Sequence, residues 1–162
     1  STLRMAHFFA AISFFWEENG RIKPPGITWS VYSEMVANTP IRLQNEGGFP
    51  SDSIDSNEFN ILAGKSENGS QIGILLSRYV DENASQPNAF SAFNDTVNLL
   101  LDGLDASCDY TWQHWGMVNN DSEPWQLIAE GDFTGDTFEM ANFEMNQRSF
   151  HYIQLNSNSS CQ

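Results

Sequence analysis

The chain has 162 residues, and its 7 Lys+Arg against 21 Asp+Glu leave a formal net charge of −14. That charge argues against a nucleic-acid backbone or an anionic membrane surface as partner, because binding phosphate takes a basic patch. The length suits one domain, or one domain with a piece of another, and at 40% apolar and 13% aromatic the chain is too apolar for a disordered acidic tail.

Residues 1–45 read as helical. Ser1 or Thr2 caps a first helix whose apolar residues cover nearly every face through Trp16, with Asn19-Gly20 as its stop. A helix that is apolar all round expects neighbours on most sides. The stretch Leu3–Trp16 does not read as a secretion signal: Arg4 and His7 interrupt it, and Glu17-Glu18 stand where small residues would mark a cleavage site. It is also too short to span a bilayer. Lys23-Pro24-Pro25-Gly26 is a stiff connector, and Ile27–Asn38 forms a second helix with Ile27, Val31, Tyr32 and Met35 at helical spacing; Pro40 ends it.

From residue 46 the texture changes to short alternating runs separated by turn residues. Glu58–Gly64 puts Phe59, Ile61 and Ala63 on one face, and Gln71–Tyr79 puts Ile72, Ile74 and Leu76 on one face. Ser66-Glu67-Asn68-Gly69 makes the hairpin turn between them. Asp81–Asn94 is a long polar loop. Further strands are expected at Thr96–Leu104, Tyr110–Met117, Trp125–Glu130, Asp136–Phe143 and Ser149–Leu155. Seven short strands at this spacing predict an antiparallel β-sandwich, so the fold class is mainly β with two helices ahead of it. A self-contained sandwich cannot bury both helices, which gives residues 1–45 the look of the end of another unit.

The residues that carry chemistry are few. Cys108 and Cys161 either pair, tying the C-terminal tail to the body of the fold in an oxidising compartment, or stay as two thiols. Five Asn-X-Ser/Thr triplets begin at Asn68, Asn83, Asn94, Asn120 and Asn158, where 16 Asn and 25 Ser+Thr predict roughly 2.5 by chance. His7, His114 and His151 lack any zinc spacing and read as structural or surface residues. Glu17-Glu18 are adjacent on a helix and point about 100° apart, the wrong geometry for two carboxylates flanking one glycosidic bond. Asp132 and Asp136 do not match a calcium loop and read as a turn between strands. Trp112 and Trp115 are an odd number of positions apart, so they face opposite sides of one strand; one belongs to the core. Trp115 and Trp125 are the candidate carbohydrate-binding residues, since an indole face stacks on the apolar face of a sugar, with plain packing as the alternative. No catalytic residue, metal site or cofactor motif emerges.

Three stretches carry a family resemblance: Arg21–Tyr32 (RIKPPGITWSVY), Asn57–Tyr79 (NEFNILAGKSENGSQIGILLSRY), and Asp109–Phe138 followed by Phe150–Leu155 (FHYIQL). Together they resemble the last barrel helix, the first sandwich hairpin and the closing strands of clan-A glycoside hydrolases, family 39 with its β-xylosidases and α-L-iduronidases above all. The resemblance implies that residues 1–45 are C-terminal helices of a (β/α)8 barrel and residues 46–162 an accessory β-sandwich. It places the acid/base and nucleophile glutamates upstream of Ser1, at the ends of barrel strands this chain does not contain. No glutamate here matches either motif, so the chain alone is expected to be inactive. The implied partners are the upstream barrel and carbohydrate, and the expected location is secreted, extracellular or periplasmic. The rival expectations are a stand-alone carbohydrate-binding sandwich and a purely structural extracellular domain.

Overall fold

The computed structural model describes residues 24–45, 58–79, 95–117, 125–145 and 148–158. The expected first helix, the loop at 81–94 and Cys161 lie outside them. Among these residues one helix, α1 (Pro24–Asn38), precedes eight strands: β1 (Ile41–Arg42), β2 (Glu58–Lys65), β3 (Gln71–Tyr79), β4 (Asp95–Asp102), β5 (Asp109–Met117), β6 (Gln126–Thr134), β7 (Thr137–Met145) and β8 (Arg148–Ser157). All seven strands expected from alternation are present; β1 is an addition. The prolines read as a connector open α1 instead. Proline is tolerated there because the first-turn N–H groups have no intrahelical acceptor and its fixed φ is already helical.

Six strands form one antiparallel sheet in the order β1-β2-β3-β8-β5-β6, and β4-β7 form a second. Residue alternation gives the large sheet two apolar faces. On the inner face Ile72, Ile74 and Leu76 of β3 and Ile153 and Leu155 of β8 pack with Leu99, Phe138 and Met145 of the small sheet. Trp112 and Phe133 lean on Phe138 with ring centroids 5.6 and 5.2 Å away, extending this core toward β6. The result is sandwich-like, with the small sheet covering part of the large one.

The outer face carries α1. Val31 and Met35, one turn apart, pack on Leu75, Phe150 and Tyr152, with Ile27, Tyr32 and Leu62 beside them. The helix therefore buries one stripe against the sandwich. Its other side is also apolar: Trp29 and Val36, seven residues apart and so on one face, are 47% and 57% exposed.

Two glycines seat the end of the helix. Gly64 of β2 and Gly73 of β3 are direct register partners. A Cβ on Gly64 would run into the carbonyl oxygen of Thr39, and one on Gly73 would meet the Tyr152 hydroxyl at 3.0 Å and Thr39 Oγ1 at 3.2 Å. Side chains there would lift the helix off the sheet. Thr39 itself is buried, and both its N–H and its hydroxyl donate to the Met35 carbonyl, at 2.8 and 2.9 Å, closing the last turn.

Candidate functional site

The outer face brings the two candidate tryptophans together. Trp115 lies opposite Tyr152 of β8, on the side away from Trp112, as the odd spacing requires. Trp125 stands immediately before β6, whose register with β5 slips by one residue between His114 and Trp115. The two indoles stack nearly parallel, with centroids 6.4 Å apart and planes 11° apart, and Trp125 meets Phe150 at 5.6 Å and 47°. Met117 completes the patch, which continues into the α1 contact through Phe150. Both indoles are half-buried. They form a ledge beside the helix, an arrangement that serves packing and leaves aromatic surface open to a ligand.

Beneath α1, Tyr152 is buried, and that burial, with the negative charge of Glu34 adding to it, holds the phenol above its ordinary pKa. It stays neutral at any physiological pH and offers no acid or base near neutrality.

The inner face holds a polar cluster that the sequence did not announce. His114 and His151 lie 37 positions apart, but the β5–β8 register makes them diagonal neighbours on one face. His114 Nε2 and His151 Nδ1 are 2.9 Å apart, and both side chains are almost fully buried. Gly116 directly faces His151 in that register, and a Cβ there would come within 2.8 Å of His151 Nδ1. Burial pushes both imidazoles down to about 4, His114 adding to the effect on His151. The pair is neutral near pH 7, one ring donating to the lone pair of the other. Protonating both would point two N–H groups at each other. Arg78, 2% exposed, lies on the same face of β3 and donates through Nη1 to the Met145 carbonyl at 2.9 Å. All three side chains are buried, so none is open to a ligand from solvent.

Cys108 is buried and disulfide-bonded. Asp132 lies within β6 and Asp136 in the β6–β7 turn, where its carbonyl accepts the Leu104 N–H at 3.0 Å. Asp105 is held below its usual pKa by hydrogen bonds from the Ser107 hydroxyl and N–H, a turn-forming arrangement. Among the described residues no group of three His, Cys, Asp or Glu side chains converges as a metal site, and no helix is long and apolar enough to cross a membrane. His7 and Glu17-Glu18 lie outside the described residues.

No protein-family model matches the chain, and no curated protein matches it in sequence. Its fold is similar to part of a solved glucosidase from Croceicoccus marinus, at 15% identity and TM-score 0.66 over 89% of this chain and 33% of the glucosidase. The chain thus spans one third of that protein's length. Weaker likenesses are to a family 44 endoglucanase from Clostridium acetobutylium (15% identity, TM-score 0.41, 65% of this chain and 17% of that one) and to a family 51 α-L-arabinofuranosidase from Thermotoga petrophila (17% identity, TM-score 0.33, 59% and 18%). The first match establishes the fold; the other two carry no weight in that assignment.

Proposed function

We propose that this chain is the C-terminal portion of a secreted glycoside hydrolase acting on polysaccharide or oligosaccharide, its catalytic carboxylates lying upstream of Ser1. The observation that carries the reading is the match of 89% of this chain to one third of a glucosidase. In it, residues 1–45 contribute the last helices of a (β/α)8 barrel and residues 46–162 an accessory sandwich. The finer assignment, glycoside hydrolase family 39, rests on the sequence resemblance alone. A helix apolar on two sides supports the same picture: Val31 and Met35 face the sheet, while Trp29 and Val36 face outward, toward a barrel.

The role of this chain is then to brace the barrel and to shape one wall of the sugar cleft. Expressed alone, it should hydrolyse no aryl glycoside and should bind a hydrophobe-sensing dye, losing that binding when joined to the upstream polypeptide. Glycosidase activity in the isolated chain, or a cooperative melt without dye binding, would overturn the reading.

A second reading is favoured by the Trp115–Trp125 stack: a stand-alone carbohydrate-binding module with the half-exposed indole pair as platform. It expects retardation in affinity gels containing polysaccharide, abolished by Trp125→Ala or Trp115→Ala. An unretarded wild-type chain across a polysaccharide panel excludes it.

A further inference from the structure

The β2–β3 hairpin carries one of the five Asn-X-Ser/Thr triplets, Asn68-Gly69-Ser70, the one whose three residues all lie among the described residues. Asn68 is exposed at the turn, and Gly69 takes a positive φ of 74° with nothing within 4 Å of where a Cβ would stand. Three donors converge on Asn68 Oδ1: the Ser66 hydroxyl at 2.8 Å, the Ser70 N–H at 3.1 Å and the Ser70 hydroxyl at 2.8 Å. The Ser70 N–H can only donate, which fixes the accepting atom as the oxygen and turns Nδ2 the other way. Among the described residues Nδ2 takes no part in this network.

We propose that Asn68 is an N-glycosylation site. The acceptor chemistry needs an amide nitrogen beside a hydroxyl two residues on, and both are present at an open hairpin tip. In the transfer, Asn68 Nδ2 forms a bond to the anomeric carbon of a lipid-pyrophosphate-linked oligosaccharide. The anomeric C–O bond breaks, the lipid pyrophosphate leaves with the electron pair, and Nδ2 gives up one proton. The product retains an amide carbonyl, so all three hydrogen bonds to Oδ1 survive and the hairpin holds its register beneath the sugar. The disulfide at Cys108 supports the same route, since such bonds persist in oxidising surroundings, the secretory pathway among them. The proposal shares the secretory route with the proposed function but not the glycosidase assignment.

The test is glycopeptide mapping of the protein isolated from the organism that makes it, with amidase release of N-glycans in heavy-oxygen water. The expected result is that the peptide spanning Asn68 acquires the heavy-oxygen label. In a eukaryotic secretory host, Ser70→Ala should erase the label at this position while Ser70→Thr keeps it. Recovery of that peptide wholly unmodified from the native protein would overturn the proposal, whatever the occupancy of the other four triplets. It would leave the glycosidase reading intact.

Discussion

Gly64→Ala should destabilise the chain by about 2–3 kcal/mol, the upper part of the range for a methyl forced into a site already filled by close-packed atoms. For a chain of this size that lowers Tm by roughly 5–10 °C. The cause is local and stiff: the methyl would meet the Thr39 carbonyl, a backbone atom at the end of α1 that cannot rotate aside as a side chain can. Thr39 is doubly tied to Met35, so relieving the clash lifts the last helical turn and with it Met35 from Leu75 and Tyr152. Lys65→Ala, at the exposed neighbouring position, should change stability by no more than about 0.5 kcal/mol. Thermal melts of the two variants decide the matter. A Gly64→Ala protein that melts with the wild type would mean that α1 does not rest on β2.

The second large effect is on acid stability. In the unfolded chain a histidine titrates near 6.5, whereas His114 and His151 in the core titrate near 4. Between those values the unfolded state binds more protons than the folded one, so unfolding free energy rises with pH across the window. The stabilisation is complete above about 6.5 and is lost as pH falls toward 4. A tenfold change in proton affinity is worth about 1.4 kcal/mol, so the pair sets a loss on the order of a few kcal/mol. Denaturant titrations at a series of pH values measure the slope directly. Carboxylates add their own slope at the acid end, but equally in wild type and variant. His151→Gln should therefore give a shallower dependence between pH 6.5 and 4, whatever its absolute stability. An unchanged slope would show that these imidazoles are not held neutral by burial.

Much of the architecture is legible in the sequence, because alternation reports directly on a half-buried strand. The seven expected strands stand within a few residues of their places, and the Ser66–Gly69 turn joins β2 to β3 as expected. The departures have physical causes. Strand β1 is two residues long and has no period to detect. The sequence pattern stops β6 at Glu130, since Gly131-Asp132 looks like a turn; the strand continues to Thr134 because Gly131 lies under the Trp112 indole, whose Nε1 would be 3.0 Å from a Cβ there. The turn falls four residues later, where Gly135 takes a positive φ.

Strand order is not legible, because pairings such as β3–β8 and β5–β8 depend on contacts between distant segments. The histidine pair escapes sequence reasoning for the same cause: 37 residues separate its members, and only the register joins them. What the sequence does offer is a histidine at an inward position in each of two strands, a placement that calls for a buried partner. The tryptophans are half legible. Odd spacing separates Trp112 from Trp115, but the register shift that brings Trp125 onto Trp115 has no signature in the sequence.

Denaturing intact-mass spectrometry of the protein purified from its source tests whether this chain is the tail of a glycoside hydrolase. These residues are expected at the C-terminal end of a longer polypeptide, or as the 18.2 kDa species accompanied by a second chain of barrel size. A lone species of 18.2 kDa, allowing for any attached sugar, would contradict it and move the carbohydrate-binding module to the front.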